Sequence, residues 1–159
     1  MSGNLRWNQL VGGTAFTCGV TEANVAYCWG WNSTGQLGDG TYARRLVPTR
    51  VVTDLTFIAV TANDAHSCAL TSGHKAWCWG DNAAGELGDG SGVASRTVPG
   101  PVAGSRSFTV LNAPGQNEHS CGVTGGGSLF CWGLNNYGQI GDGSTVNVRP
   151  TPVKVSGSI

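Results

Sequence analysis

The chain has 159 residues, of which 40% are hydrophobic and only 11% charged, and nine basic residues balance nine acidic ones. Enough apolar residues are present for a real core, which excludes disorder driven by high charge and low hydrophobicity. Zero net charge leaves no electrostatic footprint for nucleic acid or an anionic membrane, and no apolar run reaches the roughly 18 residues of a spanning helix.

The opening MSGNLRWNQL lacks the basic-then-apolar order of a signal peptide. The chain therefore reads either as an intracellular protein or as a mature secreted form with a new Met, and the cysteines favour the second. Twenty-six glycines argue against long helices, since each costs about 1 kcal/mol in a helix interior relative to Ala. Short strands between turn signals fit better.

These strands recur. Paired cysteines at 18 and 28, 68 and 78, and 121 and 131 are each ten residues apart, and the second cysteine advances by 50 and then by 53 residues. A period of this size signals a solenoid, propeller or array. The repeats span approximately residues 5–54, 55–105 and 106–159. The three extra residues of the second period lie between Gly90 and Cys121, which predicts a longer connection there.

Within a repeat, strand A comes first, carrying an aromatic and an aliphatic three residues later: Trp7 and Leu10, Phe57 and Val60, Phe108 and Leu111. In the second repeat it covers residues 57–61. Strand B holds the first cysteine, residues 67–70. A tight turn follows, centred on Ala23, Gly73 or Gly126, where glycine suits a positive φ. Strand C, residues 76–79, holds the second cysteine. A hairpin symmetric about that turn sets the two cysteines opposite each other, with Cα atoms roughly 4.5 Å apart in a non-hydrogen-bonded pair. Side chains alternate, so the aromatics flanking the second cysteine point to the other face: Tyr27 and Trp29, Trp77 and Trp79, Phe130 and Trp132. Both faces are apolar and both must be covered, which radial stacking of sheets achieves. Strand D is a P-x-x-V segment (Pro48 to Val51, Pro99 to Val102, Pro150 to Val153), at residues 49–52 in the first repeat. Proline places it at an edge. Six residues after Val153 stands Ile159, where a fourth period would begin.

H-S-C-A-L-T, then W-C-W-G-D-N-x-x-G-E-L-G-D-G, then a proline, resembles the RCC1 (regulator of chromosome condensation) repeat. It is most similar to the bacterial, cysteine-paired version. The pattern W-G-x-N-x-x-G-[QE]-[LI]-G-x-G is complete in all three copies, and the resemblance covers about Leu5 to Ile159. It implies an all-β fold of three four-stranded antiparallel β-propeller blades. Family members typically have seven, so the chain reads as a partial propeller or as half of a six-bladed ring closed by a second copy. The first repeat departs from the pattern, with Phe16-Thr17 in place of His-Ser.

The chemistry is weighed against this frame. C-x9-C is not a zinc-ribbon spacing. Three disulfides (Cys18–Cys28, Cys68–Cys78, Cys121–Cys131) are the first reading, ahead of reduced structural thiols and of metal; disulfides imply an extracellular or cell-surface setting. Asp39, Asp89 and Asp142 lack the ligand set of a calcium loop and read as turn residues bonding local N–H groups. His66 and His119 recur, so their ring N–H groups are expected to bond loop backbone. Neither a nucleophile elbow nor a phosphate loop is present, and Ser67 and Ser120 lack the other members of a triad. No enzyme, cofactor or metal is expected.

Residues that do not repeat are the better candidates for function. Trp31, Tyr42, Arg44, Arg45 and Tyr137 are of the types enriched in binding hot spots. The resemblance implies a protein-interaction scaffold; its partner is expected to be another protein or, given only three blades, a further copy of the chain, and the balanced charge and lack of a long apolar run lead to no expectation of nucleic acid or membrane insertion. A self-assembling structural unit, natural, fragmentary or engineered, is the alternative. A secreted enzyme inhibitor is a third.

Overall fold

A computed structural model describes residues 5–112 and 118–157. Its strands fall into three sheets. The first sheet contains β1 (Trp7–Gly12), β2 (Phe16–Thr21), β3 (Ala26–Gly30) and β4 (Arg45–Arg50). The second contains β5 (Phe57–Ala62), β6 (His66–Thr71), β7 (Ala76–Asp81) and β8 (Ser95–Pro101). The third contains β9 (Phe108–Asn112), β10 (His119–Thr124), β11 (Leu129–Leu134) and β12 (Val148–Lys154). Each is four-stranded and antiparallel, with strands paired in chain order. Neighbouring sheets meet chiefly along their first two strands.

The hairpin of the second and third strands sets the cysteines opposite each other: Cys18 faces Cys28, Cys68 faces Cys78, and Cys121 faces Cys131. All three pairs are disulfide-bonded, with Cα atoms 4.1 Å apart. The turn itself differs from expectation. The left-handed residue is not Ala23, Gly73 or Gly126 but the next one: Asn24 (φ 59°), His74 (φ 60°) and Gly127 (φ 78°). The loop has three residues, closed by Thr21 accepting from the N–H of Asn24, and likewise Thr71 from His74 and Thr124 from Gly127. In such a loop an ordinary turn is followed by one left-handed residue, so the midpoint keeps a negative φ.

The outer strand is also displaced. It begins at an arginine (Arg45) rather than after the proline and ends at Arg50. Pro48, Pro99 and Pro152 lie inside these strands, which are tolerant of proline because they are outermost. The valine that follows leaves the strand: Val51 N–H bonds Ala26 O, and Val102 N–H bonds Ala76 O. In the third repeat Val155 makes this bond, to Leu129 O. The third P-x-x-V is therefore Pro152 to Val155, not Pro150 to Val153. Ile159 lies outside the described residues, as does part of the longer connection before Cys121.

A register shift separates Cys28 from Gly30, Cys78 from Gly80 and Cys131 from Gly133 in the pairing with the outer strand. The glycine of the W-G pair makes it. Gly80 has φ 103°, and a Cβ there would lie 2.5 Å from Ala65 O.

Between sheets, the sulfur-bearing face of one packs on the aromatic face of the next. Cys18, Val20 and Cys28 join one buried cluster with Phe57 and Trp79. Cys68, Leu70 and Cys78 join another with Phe108 and Trp132. Trp79 and Trp132 are fully buried. Trp29 is only half-buried, because no described sheet precedes it.

Candidate functional site

The repeated loop after the third strand is built from its own side chains. Asn32 Nδ2 donates to Thr41 O and Ala43 O, while its Oδ1 accepts from Leu37 N. Asn82 and Asn135 do the same work in their loops. Asp39, Asp89 and Asp142 accept from the backbone N–H two residues on, as expected of a turn. Each also pairs with an arginine: Arg45, Arg96 and Arg149. Burial pushes the Asp39 carboxyl up, but hydrogen bonds from Arg45 and Thr41 outweigh it and hold the carboxyl below its usual range.

This pairing corrects one candidate. Arg45 is not a lone charge but the first member of a repeated structural set. The repeat is hidden in the sequence because the spacing from aspartate to arginine is six residues in one loop and seven in the others. Tyr137 is 90% exposed, yet it sits where Thr34 and Ala84 line the seam with the next sheet. Thr34 Oγ1 reaches across that seam to Ala65 O, and Ala84 is buried. Tyr137 thus stands on an uncovered sheet end, apart from the other candidates.

The remaining three come together. Trp31, Tyr42 and Arg44, with Asn32 and Ser33, line a cleft of about 180 Å³. Trp31 and Tyr42 are 51% and 57% exposed. Ser33 holds the Trp31 ring by accepting from its Nε1 at 2.7 Å. Tyr42 Oη lies 3.3 Å from Ser95 Oγ in the next sheet, fixing the far wall. Arg44 has no ion-pair partner among the described residues. The cleft offers two aromatic faces and one free guanidinium, a surface for contact and charge recognition. Ser33 escaped the sequence reading, since a serine two residues after a tryptophan carries no signal of its own.

The histidines take a different role from the one expected. His66 Nε2 lies 2.8 Å from the Ser120 hydroxyl of the next sheet, not against loop backbone. Both are buried, and Ser120 donates on to Glu86 O. Burial holds the His66 imidazole neutral, its pKa lowered to about 4. A buried Ser–His contact of this kind joins sheets and is shut off from substrate. Among the described residues no group of three His, Cys, Asp or Glu side chains is placed to hold a metal.

The comparisons identify the architecture. The model of the regulator of chromosome condensation (RCC1) repeat matches residues 25–70 and 126–159, and a second RCC1 repeat model matches residues 57–86. The chain belongs to the RCC1 repeat family. Its three sheets are RCC1 blades, forming part of a β-propeller. The ultraviolet-B receptor UVR8 of Arabidopsis thaliana is 28% identical over 152 residues, covering 95% of this chain and 34% of that protein. The probable E3 ubiquitin-protein ligase HERC4 of Homo sapiens is 31% identical over 156 residues, covering 95% of this chain and 15% of that protein. Among solved structures, human WBSCR16 superposes with TM-score 0.86 at 20% identity, over 98% of this chain and 39% of that one. Yeast RCC1 (Prp20), bound to Kap60, superposes with TM-score 0.81 at 20% identity, over 96% and 37%. The chain thus spans about a third or less of the length of these curated RCC1 relatives.

Proposed function

We propose that this chain is a non-enzymatic protein-recognition module, working outside the cell or at its surface, and that the cleft of Trp31, Tyr42 and Arg44 is its contact site. The observation that carries this reading is the gathering of three non-repeating hot-spot residues into one cleft, while the repeated residues are consumed by architecture. Relatives support the class of function: yeast RCC1 is seen bound to Kap60. Three disulfides suit an oxidising compartment. A secreted enzyme as the partner, with the cleft acting as an inhibitory surface, is one form of the same reading. The test is affinity capture of surface and secreted proteins by the oxidised chain. A genuine partner is lost with Trp31→Ala and Arg44→Ala but retained with Tyr137→Ala; a partner indifferent to the cleft variants refutes the assignment.

A second reading is a self-assembling unit. The observation favouring it is the exposure of apolar side chains at both ends of the arc, Leu46 at 81% and Val110 at 53%. Sedimentation of the chain over a concentration series tests it, and a monomer throughout refutes it.

A further inference from the structure

We propose that the middle blade carries a second site, a pocket for a small organic anion that joins one carboxylate to an apolar body. The site stands apart from the Trp31 cleft. That cleft lies in the loop leaving β3, whereas the pocket lies at the hairpin entering β7, on the opposite edge of the sheets. The middle blade is flanked on both sides within the described chain, so the pocket belongs to no bare blade face.

The connection from the second blade to the third makes the pocket. It crosses the β6–β7 hairpin and is tied to it twice, Val102 N–H to Ala76 O at 3.0 Å and Phe108 N–H to His74 O at 2.8 Å. Between the ties the chain turns at Gly104, with φ 80°. A cavity of about 260 Å³ is left, lined by Trp77, Pro101, Val102 and Phe108 and by the cations Lys75 and Arg106, among others. Pockets for drug-sized ligands run to roughly 300–1,000 Å³, so this one suits a single ring or a short chain.

The two cations differ in what they offer. Lys75 Nζ donates to Ser105 O at 2.7 Å, Ser107 Oγ at 3.1 Å and Arg106 O at 3.4 Å. Its three donors are engaged, but neutral oxygens leave its charge in place. Arg106 is half-buried, with its guanidinium 4.4 Å from the centre of the Phe130 ring. It folds back over the turn so closely that a Cβ on Gly104 would strike it. Among the described residues its side chain donates no hydrogen bond and joins no ion pair. A ring against one face leaves the in-plane N–H groups free, a fork that matches a carboxylate.

The repeat does not ask for either cation. At the corresponding places the first hairpin has Val25 and the first connection has Leu55, and Leu55 packs against the core. The corresponding pocket of the first blade is lined by Arg50 and Asp54 together, one charge of each sign. The second pocket holds two positive charges, and no acidic residue lines it among the described residues. Uncompensated positive charge beside low-dielectric walls favours an anion. One free fork, one ammonium with its donors engaged and apolar walls together select a monoanion on an apolar body.

The probe is benzoate, titrated into the oxidised, isotope-labelled chain and followed by amide chemical shifts. The amides of residues 75–77 and 104–108 should shift together and saturate. Benzyl alcohol, the same ring without the charge, should bind at least roughly tenfold more weakly. Arg106→Leu installs the residue type that the first blade already folds with, and it should weaken benzoate by a similar factor. Arg106→Gln keeps a polar side chain without the charge and should do the same, so the test does not depend on one variant folding. Trp31→Ala and Arg44→Ala should leave benzoate binding unchanged, which keeps this site distinct from the cleft. Absence of a saturable shift at these residues overturns the proposal, as does equal binding of benzyl alcohol or full binding by both Arg106 variants. Shifts scattered over the exposed arginines would mark benzoate as an adventitious counter-ion only and overturn it too.

Discussion

The indole N–H of Trp79 donates to the backbone carbonyl of Gln36, one blade earlier, at 2.9 Å. That bond, with the fully buried ring around it, ties one repeat to the next. Trp79→Ala should therefore destabilise the chain by about 3–5 kcal/mol, the usual cost of emptying an aromatic site. Trp29→Ala removes the same residue type from a half-covered end and should cost markedly less in the monomer. Urea unfolding of the oxidised variants at low concentration measures both. Equal losses would mean that the seam adds nothing to the stability of its tryptophan.

Glu86 occupies a buried position where the other two blades place Gln36 and Gln139. All three side chains accept from a backbone N–H two residues earlier, Glu86 from Ala84 at 2.8 Å. An amide does this without charge. Burial instead raises the Glu86 carboxyl to about 7 from an ordinary 4.5. The folded chain thus holds a proton that the unfolded chain releases. The stability Glu86 confers is complete below pH 4.5 and is lost as pH rises through about 7, by an amount of the order of 2–3 kcal/mol. Glu86→Gln should remove this loss, with a gain at pH 8 and little change at pH 4. The difference in urea midpoint between the two proteins across that range is the measurement. A pH-independent difference would contradict the assignment.

His66 runs the opposite way. Its imidazole is lowered to about 4 from 6.5, first by burial and then by repulsion from His119. The unfolded chain binds this proton more readily, so stability falls as pH drops from 6.5 towards 4. The first repeat already shows a substitute, since Phe16 stands in the equivalent place. Glu86 acts oppositely over nearly the same range, so the signature is a difference: His66→Phe should gain stability relative to the parent as pH falls from 6.5 to 4, with no further change in that difference above pH 7. Thermal melts at pH 4, 5 and 7 resolve it.

Much of this was legible from the chain because the signals are local and tripled. Cysteine spacing led to the hairpin, and alternation around Cys78 separated a sulfur face from an aromatic one. Boundaries were read less well where the cue was a single residue. Glycine at 73 and 126 marked the turn but not its left-handed position, which falls to His74 and Gly127. Proline marked the outer strand but not its start, which lies at Arg45, Ser95 and Val148, two to four residues before the first proline of each strand. The cleft was only half legible. Trp31, Tyr42 and Arg44 stood out by not repeating, yet their convergence depends on the loop fold, and Arg45 joined them only while its pairing with Asp39 was hidden.

Neighbouring arginines now carry different expectations. Arg44→Ala should weaken partner capture without changing stability, since the side chain is exposed and has no ion-pair partner among the described residues. Arg45→Ala should lower stability by less than about 1 kcal/mol, because its ion pair with Asp39 is partly screened by solvent. Capture assays and urea midpoints on the two variants separate the roles. Identical behaviour would dissolve the distinction.

The disulfides should not respond alike to reductant. Cys18, Cys28, Cys68 and Cys78 are at most 1% exposed, sealed by the blade that follows. Cys121 lies on the open sulfur face and lines its cavity. Attack by a thiolate needs access to a sulfur. Brief reduction under native conditions should therefore open Cys121–Cys131 first, read by alkylation and mass spectrometry of the trapped thiols. Each bridge closes a loop of roughly ten residues, worth about 2–3 kcal/mol, so the third blade should be the first to lose cooperative unfolding. Simultaneous opening of all three bridges would show that burial does not govern access to the sulfurs.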